Sequence, residues 1–179
     1  ANERLISLFC YEPAALAEAM QLASLTTSGH HWQVAHGRGA LAFEQALRSL
    51  PSHVKPPSHQ FIPPLSQTKF DQLLKSSDLN FVRGEDSLVR ALWAGKAFVW
   101  QIYPQDDGAH AAKLNAFLDW LKAPKSLRQF HMTWNGLSHL ALPEIDLLAW
   151  QQCVQDARQR LMKQADLVSQ LLQFVAEKG

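Results

Sequence analysis

The sequence predicts an α/β domain in which helices flank an open parallel sheet. Up to residue 103, short apolar segments rich in β-forming residues alternate with segments of helical periodicity. Beyond that point only helical segments follow. A length of 179 residues suits one domain, and a hydrophobic content of 47% is enough for a substantial core. These observations favour successive βαβ units followed by C-terminal helices.

Four segments are predicted to be strands, and a fifth segment is a weaker candidate. The four are 4–11, 30–36, 78–82 and 97–103, of which the last has the clearest strand pattern. The stretch 51–64 contains five prolines and is predicted to be mostly loop. Within it, residues 60–62 are the fifth candidate strand.

Helical segments follow each predicted strand and fill the C-terminal third. Pro13 suits the first turn of the first helix, and Gly95 is a typical C-terminal stop for the fourth. The predicted helices are 14–25, 41–50, 67–76, 85–93, 109–123, 126–134 and 143–177. The last one carries an apolar face with spacings of three and four residues, formed by Leu161, Ala165, Val168, Leu172 and Val175.

Polar and aromatic residues gather where the predicted strands end. In an open parallel sheet, ligands bind outside the carboxyl ends of the strands. Phe9 and Tyr11 end the first predicted strand, and Tyr103 ends the last. Gln67 and Phe70 open the helix after the proline-rich loop. We therefore expect these side chains to line one ligand site.

The turn at 83–87, Arg-Gly-Glu-Asp-Ser, carries the sharpest chemical signal. Gly84 allows a tight bend close to a ligand. Glu85, Asp86 and Ser87 would then present backbone N–H groups at a helix start, where a diphosphate can bind. The acidic side chains can point away from such an anion or accept hydrogen bonds from sugar hydroxyls. The alternative is ordinary helix capping, which uses the same residue types.

The flanking residues also have two interpretations each. Phe70 can stack on a nucleobase, but Leu73 and Leu74 on the same helix favour a place in the core. Gln67 can contact a ribose or be a plain polar residue at a helix start. Tyr103 can donate a hydrogen bond to a phosphate or simply end its strand.

Composition argues against several other classes of function. The formal net charge is +1 with scattered Lys and Arg, so no basic stripe for nucleic acid is present. No apolar run approaches the ~20 residues that span a bilayer. The two cysteines and eight histidines form no metal-ligand spacing. We therefore expect a cytoplasmic protein that binds neither nucleic acid, membrane nor metal.

Two stretches closely resemble the nucleotide-binding segment of the EarP family of protein-arginine rhamnosyltransferases. One is 77–105, which includes the unusual 83–87 turn, and the other is 5–12. The resemblance runs along essentially the whole chain and is weakest in the proline-rich loop and the last helices. It covers the second of the family's two Rossmann-like domains, which face each other across a cleft as in GT-B glycosyltransferases. The resemblance thus implies the C-terminal half of a GT-B fold.

The resemblance also implies an activity. The family transfers L-rhamnose from TDP-β-L-rhamnose to an arginine of translation elongation factor P (EF-P), inverting the anomeric centre without a metal or other cofactor. TDP-rhamnose and EF-P are therefore the expected partners. The family's catalytic aspartate belongs to the N-terminal domain, so no catalytic residue is expected within 1–179. We expect this chain to be part of a longer protein and to bind donor without turning it over.

The resemblance assigns roles to the candidate site residues. Glu85, Asp86 and Ser87, with Arg83 and Gly84 in the same turn, would contact the diphosphate. Gln67 would contact the thymine or ribose, and Phe70 would be one aromatic wall against the thymine. The remaining pocket residues would be Phe9, Tyr11 and Tyr103.

One departure from the family concerns the second aromatic wall. The family usually has Phe-x-Pro-Gln just before the Phe70 helix, whereas here Phe61-Ile-Pro-Pro is followed by Leu-Ser-Gln67. Either a short insertion separates Phe61 from Gln67, or the second wall is missing.

Two other functions remain open from the sequence. One is a different GT-B or epimerase domain that binds another sugar nucleotide. The other is a non-catalytic, flavodoxin-like interaction module. A response regulator is disfavoured, because no isolated Asp ends a predicted strand.

Overall fold

A computed structural model describes residues 3–24 and 29–178. Within them, five strands form one parallel sheet in the order β3-β2-β1-β4-β5. The strands are β1 (Arg4–Leu8), β2 (His30–Ala35), β3 (Ser58–Ile62), β4 (Leu79–Arg83) and β5 (Ala97–Gln101). The predicted α/β fold class is therefore confirmed.

Seven helices accompany the sheet in the described part of the chain. They are α1 (Leu16–Ser24), α2 (Arg38–Ser49), α3 (Gln67–Ser76), α4 (Gly84–Ala94), α5 (Ala109–Leu121), α6 (Lys125–Trp134) and α7 (Leu147–Lys178). The predicted end of the first helix at Leu25 lies outside the described residues. The same holds for the side chains of Val168 and Val175 on the predicted apolar face of the last helix. Of that face, Leu161 packs against the core, whereas Leu172 is exposed.

The first strand is shorter than predicted, because the chain leaves the sheet after Leu8. The Phe9 amide still donates to the Phe81 carbonyl at 2.9 Å. The Tyr11 amide instead donates to the side-chain oxygen of Gln101 at 2.8 Å. The last strand likewise ends at Gln101, so Tyr103 lies beyond it. Phe9, Tyr11 and Tyr103 are thus loop residues at the sheet's carboxyl edge.

Further boundaries also differ from the prediction, among them the start of α2 at Arg38 instead of residue 41. The weakest candidate strand is a full edge strand, β3, paired with β2 from His31 to Ala35. The last helix begins at Leu147 instead of residue 143. Asp146 caps it, since its carboxylate accepts from the Ala149 amide at 3.0 Å. Just before it, the Leu142 amide donates to Glu18 at 2.7 Å, which ties this segment to α1.

Alternation along β4 shows how the helices divide between the two faces of the sheet. The Asn80 side chain donates to the Leu74 carbonyl of α3 at 2.9 Å. Phe81 points to the opposite face and contacts Trp134 of α6, with ring centroids 4.6 Å apart. Phe81 also stacks on Trp32 at 5.7 Å, and Trp32 contacts Phe43 of α2. Helices α2 and α6 therefore cover one face, and α3 covers the other.

Side chains of α6 satisfy the backbone of β5, which is an edge strand. The fully buried His131 ring accepts from the Trp100 amide at 3.0 Å. Asn135 accepts from the Ile102 amide at 2.9 Å and donates to the Trp100 carbonyl at 2.9 Å. Because these groups take the place of a neighbouring strand, the edge is closed to further pairing.

The strand order places a topological switch point between β1 and β4. From β1 the chain builds outward to β2 and β3, and it then returns to the other side of β1 to form β4 and β5. The loops after β1 and β4 consequently run in opposite directions and leave a crevice between them. These are the loops that begin at Phe9 and at Gly84.

Candidate functional site

A pocket of about 330 Å³ opens at the carboxyl edge of the sheet, beside the switch point. This volume falls within the range of small-molecule sites. The lining comes from the ends of β1, β2 and β3, from the loop between β3 and α3, from the first turn of α3 and from the first two turns of α4. It consists of Phe9, Ala35, His36, Ile62, Pro63, Pro64, Leu65, Gln67, Phe70, Asp86, Ser87 and Arg90.

One side of the pocket is aromatic and the facing segment is aliphatic. The rings of Phe9 and Phe70 meet edge to face, with centroids 5.7 Å apart and planes at 72°. Residues 62–65 line the pocket with Ile, Pro, Pro and Leu. Phe61 does not line it, because its ring packs edge to face on Phe43 at 6.1 Å and on His59 at 5.4 Å. The segment between Phe61 and Gln67 therefore supplies apolar contact without a second aromatic ring.

Gln67 is free to face the pocket because another residue caps its helix. The Ser66 hydroxyl is the N-cap of α3 and accepts from the Lys69 amide at 3.3 Å. Gln67 is the first residue of the helix, is exposed and lines the pocket. Its amide group thus offers both a donor and an acceptor to a ligand.

The start of α4 is held in a sharp bend. Gly84 has φ +70°, a conformation that residues other than glycine rarely adopt. Its carbonyl accepts from the Trp100 indole N–H at 2.9 Å, which fixes the bend to β5. No side chain in the described part of the chain caps this helix start. Its first-turn amides are therefore open to a ligand with negative charge.

The acidic residue nearest the pocket is neutralised by a neighbour one turn along the helix. Asp86 lines the pocket, and its carboxylate accepts from Arg90 Nε at 2.9 Å. Arg90 also reaches across to Asp71 of α3, with Nη1 3.0 Å from both carboxylate oxygens. These two acids raise the pKa of Arg90, so the guanidinium stays charged. Ser87, which is almost fully buried, adds a hydroxyl to the same wall.

Three of the predicted site residues form a cluster beside the pocket. The Arg83 guanidinium lies over the rings of Phe9 at 4.3 Å and Tyr11 at 4.7 Å. Its Nη1 donates to the Cys10 carbonyl at 3.1 Å. Tyr11 meets Tyr103 edge to face at 5.8 Å, and Tyr103 is 63% exposed. We call Tyr11, Arg83 and Tyr103 the rim cluster.

The structure divides the ten predicted site residues into three groups at the same edge. Five line the pocket: Phe9, Gln67, Phe70, Asp86 and Ser87. Gly84 and Glu85 belong to the helix start that borders it, and the remaining three form the rim cluster. Glu85 is exposed, and the pocket is not lined by its side chain.

Sequence reasoning missed several lining residues. His36 and Ile62 are the last residues of the predicted strands 30–36 and 60–62, so the same carboxyl-edge rule includes them when it is applied to all five strands. Arg90 stands four residues after Asp86, a spacing at which opposite charges pair on a helix. Residues 63–65 carry no periodic signal that could have placed them.

Across residues 3–24 and 29–178, no group of three or more His, Cys, Asp or Glu side chains could hold a metal ion. No helix in this part of the protein is both long and apolar enough to cross a bilayer.

An open parallel sheet with helices on its faces and a pocket at its switch point defines a Rossmann-like α/β domain. Within that class, the chain belongs to the EarP family. The family described as elongation factor P (EF-P) rhamnosyltransferase EarP matches residues 1–176.

Individual relatives agree with this assignment. The protein-arginine rhamnosyltransferase of Pseudomonas aeruginosa is 36% identical over 192 residues, covering 98% of this chain and 51% of the relative. The enzyme of the same name from Shewanella oneidensis is 32% identical over 205 residues, with coverage of 98% and 50%. The chain therefore spans about half the length of the curated relatives it matches.

A solved structure described as the structural basis for EarP-mediated arginine glycosylation of EF-P has the same fold. The two superpose with a TM-score of 0.75 at 30% identity. The match covers 98% of this chain and 61% of that one.

Proposed function

We propose that this chain is the donor-binding domain of a protein-arginine rhamnosyltransferase, that its donor is TDP-β-L-rhamnose, and that the acceptor is an arginine of EF-P. One observation carries the proposal. In a chain of the EarP family, an aromatic wall and an uncapped helix start border the same pocket at the switch point of the sheet. These are the two surfaces that a nucleoside diphosphate needs.

The pocket offers a distinct surface to each part of the donor. The thymine would lie against the Phe70 ring, with the aliphatic segment 62–65 on its other side. Gln67 would hydrogen-bond the base or the ribose. The diphosphate would accept from the first-turn amides of α4 and from the Ser87 hydroxyl. The rim cluster would lie toward the diphosphate and sugar, where Arg83 adds positive charge.

The same helix start would assist the chemical step. When the glycosidic bond to the diphosphate breaks, negative charge develops on the leaving phosphate oxygens. Fixed amides and a helix dipole stabilise such charge without reorganising, so the reaction as proposed needs no metal. The attacking group is an arginine, which is normally protonated and must be polarised by a base. We assign that base to the part of the enzyme beyond this chain, and we expect this chain alone to be inactive.

Nucleotide preference tests the proposal. In calorimetric titrations, we expect TDP and TDP-rhamnose to bind this chain much more tightly than UDP, GDP or their sugars. A preference for another nucleotide would support a different sugar-nucleotide domain. Equal binding of all of them, or of none, would contradict the proposal, and the second result would favour an interaction module.

A double substitution tests the proposed diphosphate site. Changing Asp86→Ala and Ser87→Ala together should weaken TDP binding, because the wall loses the Ser87 hydroxyl that would donate to the diphosphate. The fold should persist, as judged by circular dichroism. Asp166→Ala with Ser169→Ala is a matched control, since both residues are exposed on α7. Unchanged TDP affinity in the first variant would show that the phosphate assignment is wrong.

A further inference from the structure

We propose that Arg90 is a positioning residue of the diphosphate site, which acts by holding and neutralising Asp86. This inference rests on the proposed function, because it assigns a task to a residue of the same pocket. Arg90 is not among the ten site residues predicted from the sequence.

The ion pairs of Arg90 join the two helices that build the pocket. Asp86 belongs to the first turn of α4, and Asp71 belongs to α3, one residue beyond Phe70. Arg90 contacts both carboxylates, at 2.9 Å and 3.0 Å. Its side chain is only 21% exposed, whereas that of Asp86 is 78% exposed. We call these two ion pairs of Arg90 the bridge. Its centre is the largely enclosed guanidinium, and its exposed end is Asp86.

Charge explains why the site needs this bridge. A carboxylate on the pocket wall repels an incoming diphosphate, although the helix amides beside it attract the anion. Arg90 offsets the Asp86 charge and draws the carboxylate toward the next turn of the helix. The acidic residue can then stabilise the helix start without opposing the ligand.

The bridge also fixes the distance between the two ligand surfaces. Gln67 and Phe70 lie on α3, while Asp86 and Ser87 lie on α4. A shift of one helix against the other would separate the base site from the diphosphate site. Such a shift would weaken binding of TDP, which spans both sites, but removing the Asp86 charge would not reverse it. Rescue by Asp86→Asn therefore distinguishes the charge effect from a change in spacing.

The test compares TDP with thymidine, which lacks phosphate, in calorimetric titrations of the 179-residue chain. In Arg90→Gln we expect TDP affinity to fall about tenfold, because the Asp86 charge is then unopposed. Thymidine affinity should change little. Adding Asp86→Asn to Arg90→Gln should restore TDP affinity in part. Arg90→Lys should lose less TDP affinity than Arg90→Gln, because the ammonium keeps the positive charge although it cannot contact both carboxylates as the guanidinium does. Arg128→Gln is the matched control, because Arg128 forms a comparable ion pair with Asp119 away from the pocket.

Two results would overturn the inference. One is a parallel loss of TDP and thymidine affinity in Arg90→Gln, which indicates a structural role alone. The other is a failure of Asp86→Asn to restore any TDP binding. If the wild-type chain prefers another nucleotide, the TDP assignment is wrong, and the same comparison is made with that nucleotide and its nucleoside. If the wild-type chain binds no nucleoside diphosphate, both proposals are wrong.

Discussion

The buried His131 should make the stability of the fold depend on pH. Its ring is fully buried against β5, and Nε2 accepts from the Trp100 amide. The other ring nitrogen, Nδ1, donates to the Leu127 carbonyl at 2.9 Å. Burial lowers the pKa of His131 from 6.5 to about 4, so the ring is neutral in the folded chain near neutral pH. Both of its nitrogens are then satisfied.

The sign and size of the effect follow from this pKa. As pH falls through 6.5, the unfolded chain binds a proton at this position, whereas the folded chain does not until about pH 4. Stability is therefore lost across that window and levels off below it. This difference in pKa between the unfolded and folded chains corresponds to a loss of roughly 3 kcal/mol in the free energy of unfolding, at ~1.4 kcal/mol per pKa unit.

Urea unfolding at several pH values, followed by Trp fluorescence, measures this loss. Other groups also titrate, so the relevant quantity is the difference between wild type and His131→Gln, whose side chain can still accept from the Trp100 amide. Between neutral pH and about pH 4, we expect the free energy of unfolding to fall by ~3 kcal/mol less in the variant than in wild type. His139→Gln, at an exposed histidine, should keep the wild-type dependence. Identical pH profiles for wild type and His131→Gln would refute the reasoning.

Three further predictions concern the pocket. In calorimetry, Phe70→Ala should lower TDP affinity by roughly 10- to 100-fold, because stacking on the thymine is lost. The control Phe61→Ala should leave TDP affinity unchanged, and equal losses in the two variants would contradict the assigned aromatic wall. Gly84→Ala should lower the free energy of unfolding by ~1–2 kcal/mol in urea, because Gly84 has φ +70°. Gly84→Asn should lower it by less, since asparagine tolerates positive φ better, and equal losses would show that the bend relaxes. Trp100→Phe removes the indole donor to the Gly84 carbonyl, so it should lower the free energy of unfolding by ~1 kcal/mol and weaken TDP binding. Wild-type stability and TDP affinity in this variant would argue against a role of the indole in holding the bend.

The fold could be predicted because its signals are local. The strands β1, β4 and β5 consist mostly of apolar residues, whereas β2 alternates buried and partly buried positions over its last four residues. Gly95 ends α4 in the left-handed conformation, as expected. Boundaries were less predictable, because they depend on tertiary partners. The strand β1 ends where the Gln101 side chain replaces a backbone partner, and that contact joins residues 90 positions apart.

The site was predictable only in part, for a similar reason. The carboxyl-edge rule brought Phe9, Phe70 and the α4 start together. The same rule could not separate the pocket from the rim cluster, since both lie at that edge. That distinction depends on Arg83, whose side chain turns back over Phe9 and Tyr11 instead of facing the pocket.

A structure of this chain with TDP bound tests the central claim most directly. We predict the diphosphate within hydrogen-bond distance of the first-turn amides of α4, and the thymine ring against Phe70. A nucleotide bound elsewhere, for example in the cleft of about 350 Å³ lined by α1 and α2, would contradict the account. So would a diphosphate that turns away from the Gly84 bend toward solvent.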